Sequence, residues 1–120
     1  MMINDEILRI KDVIVGCIDC EQVYLFGSHA YGNPTVGSDY DFYVVLRDDP
    51  QQKPIAAIQT IHRHLIDFDT MIPVDVLANY KSRFEYRSKQ PTLERKIVRD
   101  GVLLYDRYLP NQRMVSFCEE

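Results

Sequence analysis

The sequence predicts an α/β (α+β) fold, a small mixed β-sheet packed by helices. Segments with apolar residues at helical spacing alternate with short runs of β-branched and aromatic residues. Glycines and prolines punctuate the junctions between them. The 120 residues, 46% of them hydrophobic, are enough for one core, and no repeat, low-complexity tract or linker divides them. The simplest division is one domain over residues 1–106 and a C-terminal tail over 107–120.

The elements follow in order. From Asp5 to Ile18, the residues Ile7, Ile10, Val13, Ile14, Cys17 and Ile18 fall near one helical face. Asn4 is placed to cap that helix, with Asp5 and Glu6 in its favourable first turn. Val23 to Phe26 reads as a short buried strand that stops at Gly27, and Asp41 to Leu46 as a second. A longer helix is predicted over Pro54–Phe68, where Ile55, Ile58, Ile61, Leu65 and Phe68 recur at helical spacing. Pro73 to Ala78 forms a third strand, led by a proline that a strand start tolerates. Lys81 to Gln90 is polar and basic without a clear period. Pro91 to Asp100 reads as a helix ended by Gly101, and Val102 to Tyr105 as a last strand.

The net charge of −4 argues against broad nucleic-acid binding, which normally needs a basic face. No apolar run approaches the roughly 20 residues of a membrane span. Met1 to Glu6 lacks the basic start and apolar stretch of a secretion signal, so a cytoplasmic protein is expected. The three cysteines, Cys17, Cys20 and Cys118, fit reduced thiols better than a disulfide framework. Cys17 and Cys20 have C-x-x-C spacing, but no second pair or nearby histidine completes a zinc site, and the pair closes a helix instead of opening one. They are expected to be ordinary small residues, with Cys17 facing inward.

The chemistry concentrates between Val23 and Val45. An apolar strand ends in Gly27-Ser28, where a missing Cβ lets backbone approach a ligand closely. If Ser28 opens a helical turn, its free N–H groups and hydroxyl suit a phosphate. Gly32, Asn33, Pro34 and Gly37 mark a turn-rich loop that returns to Ser38-Asp39-Tyr40-Asp41. On extended backbone Asp39 and Asp41 share a face. Two close carboxylates raise each other's pKa, a conflict that a hard divalent cation such as Mg²⁺ or Mn²⁺ resolves. Asp75 sits between Val74 and Val76, which point to the core and leave it on the opposite face. If its strand neighbours that of Asp41, three carboxylates converge. Each feature alone has an ordinary explanation as a turn, a solvated strand end or an edge acid. The ordered combination carries the weight.

That combination resembles the polymerase-beta-type nucleotidyltransferase superfamily, and the chain is similar in length to the minimal nucleotidyltransferases of prokaryotes. The matching residues are Gly27-Ser28, Gly32, Ser38-Asp39-Tyr40-Asp41 and Asp75, with weaker support from Arg95 to Asp106. The resemblance implies two Mg²⁺ ions, with Mn²⁺ as an alternative, and ATP or another nucleoside triphosphate. Asp39 and Asp41 would ligate both metals and Asp75 the catalytic one, while Gly27, Ser28 and Ser38 form the nucleotide-binding set. An acceptor hydroxyl would attack the α-phosphate in line and pyrophosphate would leave, with Asp75 able to take the proton. One departure stands out. Members of this size often carry an arginine where this chain has Tyr31. Lys81, Arg83, Arg87 and Lys89 are alternative phosphate contacts, and His29 a candidate pocket residue. His62 and His64 are expected at the surface.

The leading functional expectation is transfer of a nucleoside monophosphate, most readily AMP, to a hydroxyl. By resemblance the acceptor is a HEPN-family toxin that this chain neutralises as its antitoxin. The alternative is a catalytically weak or idle module that neutralises such a partner by complex formation. Transfer to a small molecule such as an aminoglycoside, or templated polymerisation, is disfavoured because each calls for a further domain. The sequence is compatible with a homo-oligomer.

Overall fold

The computed structural model describes residues 3–35, 37–68, 70 and 72–109. Its order is α1 (Asp5–Cys17), β1 (Cys20–Phe26), α2 (Ser28–Tyr31), β2 (Tyr40–Leu46), α3 (Pro54–Leu65), β3 (Val74–Tyr80), α4 (Lys81–Ser88), α5 (Leu93–Asp100) and β4 (Val102–Asp106). The strands form one sheet in the order β3-β2-β1-β4. β1 runs antiparallel to both β2 and β4, and β2 runs parallel to β3, so the sheet is mixed as expected.

Both faces of the sheet are covered, which accounts for the nearly continuous burial of β2. On one face, Val23, Leu25, Tyr40, Phe42, Val44, Leu46 and Val76 pack with Ile7, Ile10 and Ile14 of α1 and Ala57, Ile61 and Leu65 of α3. On the other, Tyr24, Tyr43 and Val45 pack with Phe84 of α4 and Ile97 of α5. The Phe84 ring lies 5.6 Å from Tyr24 and 5.1 Å from Tyr43. Among the described residues no helix is long and apolar enough to cross a membrane.

The caps follow the sequence closely at α1, where Asn4 Oδ1 accepts the Ile7 N–H at 2.8 Å. At α5 the cap is Thr92, whose hydroxyl accepts the Arg95 N–H at 3.2 Å, so the helix starts after Pro91 and not at it. Gly101 ends α5 as expected, its N–H donating to Ile97. A Cβ on Gly101 would lie 3.1 Å from the Leu25 carbonyl oxygen, so its bareness lets the helix end close against β1.

Further expectations are revised. Residues 81–88 form a helix because a single apolar anchor, Phe84, holds an otherwise polar segment on the sheet. The inner face of α3 is Ala57, Ile58, Ile61 and Leu65, and Ile55 is 63% exposed. β1 begins at Cys20, before the expected Val23, because buried Glu21 has partners in Arg107 and Lys81. Arg107 also bonds Asp19, and its N–H donates to the Glu21 carbonyl, so the start of the predicted loose tail is tied to β1. The rest of that tail, with Cys118, lies outside the described residues. Cys17 is half-buried and Cys20 buried, both as free thiols. Desolvation pushes the Cys20 thiol up to about 12, so at neutral pH it is a protonated, buried small residue.

Candidate active site

The topology brings two of the predicted carboxylates, Asp41 and Asp75, together. β2 and β3 are parallel and adjacent, and Asp41 is the register partner of Asp75. Registered residues on neighbouring strands point to the same face, so the two carboxylates stand side by side. On the other side of β2, Asp41 is in register with Phe26, the last residue of β1. Asp39 precedes β2 by one residue and is exposed, as is Asp75, while Asp41 is half-buried.

Gly27 follows immediately. Its φ of +78° is in the left-handed region that disfavours side chains. A Cβ there would collide with the Asp41 carboxylate, its Cγ lying only 3.1 Å away. Position 27 is therefore bare for two reasons, backbone conformation and contact with an acid of the site. The turn then winds into α2, where the Ala30 and Tyr31 N–H groups both donate to the Gly27 carbonyl at 3.0 Å. Ser28 and His29, as the first residues of that turn, have no preceding helical carbonyl to bond. Gly32 ends α2 at φ +88°, its N–H donating to Ser28.

The loop between α2 and β2 is pinned at two points. The Ser38 hydroxyl accepts the Thr35 N–H at 2.9 Å and lies 3.2 Å from the Thr35 hydroxyl. His29 Nε2 lies 3.2 Å from the Ser38 carbonyl oxygen, and in the tautomer that bonds it Nε2–H donates. The imidazole also meets the Tyr40 ring edge-on with centroids 4.7 Å apart. His29 thus belongs to the site's framework, and it clamps the segment that delivers Asp39. Ser38 is in place, but its hydroxyl serves the loop.

The electrostatics are those of crowded acids. The Asp41 carboxyl is held above the usual range, first by burial, then by the charges of Asp75 and Asp39, with His29 opposing the shift. Among the described residues no three His, Cys, Asp or Glu side chains form a ready-made metal cage. The donor chemistry nonetheless fits a hard divalent cation. All three acids offer carboxylate oxygens, and Mg²⁺ typically takes one or two of these and completes its shell with water and substrate phosphate. Of the basic residues considered for phosphate contact, Lys81 is paired with Glu21 at 3.7 Å and Arg87 with Glu94 at 3.1 Å. His62 and His64 are exposed on α3, as expected.

Comparison with known proteins agrees with this fold. The family described as polymerase beta, nucleotidyltransferase matches residues 9–108. The chain is a member of that nucleotidyltransferase family. Among solved structures, a candidate nucleotidyltransferase from Sulfolobus solfataricus aligns with a TM-score of 0.55 at 22% identity, covering 85% of this chain and 78% of that one. A toxin–antitoxin structure with AMP-PNP aligns with a TM-score of 0.54 at 20% identity, covering 93% of this chain and 81% of that one. At such identities these two likenesses speak for the shared fold. No curated protein matches the chain in sequence.

Proposed function

We propose that this nucleotidyltransferase moves AMP from ATP to a hydroxyl on a partner protein, a HEPN-type toxin, and so acts in the cytoplasm as its antitoxin. The observation that carries the transfer chemistry is the registered pair Asp41 and Asp75 beside a glycine that cannot bear a side chain. Gly27 and Ser28 would receive triphosphate oxygens, with Ser38 and His29 holding the loop around them. Asp39, Asp41 and Asp75 would hold magnesium. When bound, that cation neutralises charge on the phosphates and lowers the pKa of a nearby hydroxyl. The acceptor oxygen bonds to the α-phosphorus, the bond to the pyrophosphate oxygen breaks, and the hydroxyl proton passes to Asp75 or to solvent. Support for a protein acceptor comes from the toxin–antitoxin neighbour, and the preference for adenosine from the AMP-PNP in that structure.

The second reading, neutralisation by complex formation alone, is favoured by Tyr31 standing where members of this size often carry an arginine. One experiment separates them. The protein is incubated with Mg²⁺, the adjacent gene's product and ATP labelled at the α-phosphate. Label on the partner selects transfer, and a tight complex without label selects binding alone.

A further inference from the structure

Along one end of the sheet the elements lie in the order Asp75 on β3, Asp41 on β2 and Gly27 after β1. The next position in that row belongs to the start of β4, where Val102 pairs with Leu25 and α5 arrives. Between α2 and α5 opens a cleft of about 540 Å³, lined by Ala30, Tyr31, Asn33, Lys96 and Asp100. The Lys96 ammonium stands 5.0 Å over the Tyr31 ring, whose negative face holds it in place. None of the ion pairs among the described residues uses Lys96. The acid in the same lining, Asp100, is instead engaged by Arg99 at 3.1 and 3.0 Å. α2 itself carries no lysine or arginine. Acids thus crowd one side of Gly27 and a positioned, uncompensated cation stands on the other.

The geometry points to Lys96, supported by Tyr31, as an oxyanion subsite that takes the outer phosphates of the nucleoside triphosphate, on the opposite side of Gly27 from the carboxylates. The inference rests on the nucleotidyl-transfer reading for its ligand, and on the cleft for its place. It gives Tyr31 a role: an arginine at that position would bring its own charge, whereas tyrosine presents a charge borrowed from α5. Asn33 adds an amide donor at the rim. A lysine meets phosphate as a compact point charge with rotatable donors, and so suits a polyphosphate tail whose oxygens shift during transfer.

The test is calorimetric titration of the full chain in Mg²⁺ with ATP, AMP and inorganic tripolyphosphate, on proteins matched by melting temperature. Lys96→Ala is expected to weaken ATP and tripolyphosphate about tenfold, the loss of one charge-assisted contact, and to leave AMP within about twofold. Lys96→Arg recovers most of the affinity. Tyr31→Phe, which keeps the ring face, binds like wild type, whereas Tyr31→Leu falls toward Lys96→Ala. Arg95→Ala removes an equal charge from the same helix and changes little. Equal behaviour of Lys96→Ala and Arg95→Ala overturns the subsite. If tripolyphosphate binding depends on Lys96 but labelled nucleotide is never transferred, the transfer reading fails and the subsite stands. If transfer proceeds and Lys96→Ala binds like wild type, the subsite alone fails. Wild type that takes up neither ligand overturns both.

Discussion

Glu94 and Asp41 both work against the sheet face that carries Tyr43, one reaching it from α5 and the other rising from β2 itself. Glu94 is buried, accepts the Tyr43 hydroxyl at 2.8 Å and pairs with Arg87 at 3.1 Å. Desolvation opposes its charge, but the hydrogen bonds from Tyr43 and Arg87 prevail and hold it below the usual range. Asp41 is less exposed to donors: its carboxyl is held above the usual range first by desolvation and then by the charges of its neighbours Asp75 and Asp39, with His29 opposing the shift. An acid supplied with donors joins α4 and α5 to the sheet. An acid supplied with more acids is, on the proposed reading, the place where a cation would bind. Burial alone does not distinguish a structural carboxylate from a site carboxylate; the sign of its partners does.

Substitution should separate the two regions cleanly. The largest effect is expected at Asp75→Asn, which should lower labelled transfer by about a hundredfold or more while ATP binding stays within a few-fold. Such a split marks a group used mainly in the transition state, and normal transfer would remove Asp75 from the site. Next comes Gly27→Val, where the new side chain meets the Asp41 carboxylate and φ is +78°. Nucleotide titration should show binding lost, with stability lower by about 1–3 kcal/mol in chemical denaturation.

On the structural side, Glu94→Gln should lower stability by about 1–3 kcal/mol at pH 7 without changing ATP affinity. Its folded pKa lies below the ordinary value of 4.5, so the contribution is present above that value and fades as pH falls through the folded one. Denaturation curves of wild type and Glu94→Gln should therefore converge in acid. The smallest effect is expected at Asp41→Asn, which in metal-free buffer should raise the melting temperature by about 2–4 °C. The sign follows from a folded pKa raised above 3.8, which favours the fold below that value and costs stability as pH rises through the folded one. The gain should be present at pH 7 and vanish below 3.8. A fall in melting temperature instead would place Asp41 with Glu94 among the structural acids.

What the sequence could reveal depended on whether the deciding contacts were local. α1 was legible because Asn4 and three isoleucines at helical spacing carry its cap and its buried face. Strand alternation suggested Asp39 with Asp41, though Asp39 lies one residue before β2, and the flanking valines singled out Asp75, which only the parallel pairing of β2 with β3 brings to Asp41. α4 was hidden because one phenylalanine anchors it, and that anchor acts through Tyr24 and Tyr43, far away in the chain. The early start of β1 was hidden for the same reason, since Glu21 depends on Lys81 and Arg107. The collision that Gly27 avoids and the Lys96–Tyr31 pairing are likewise products of the folded arrangement, to which no spacing pattern points.

The central claim is that Asp41 and its neighbouring acids wait for a cation that arrives with the nucleotide. Isothermal titration of ATP into wild type and Asp41→Asn, each with Mg²⁺ and with a chelator, addresses it directly. Wild type should bind ATP at least about tenfold more tightly with Mg²⁺, because carboxylates and phosphates complete one shell, and Asp41→Asn should lose that difference. Wild type that binds ATP equally with and without Mg²⁺, or an Asp41→Asn variant that keeps the full metal dependence, would contradict it.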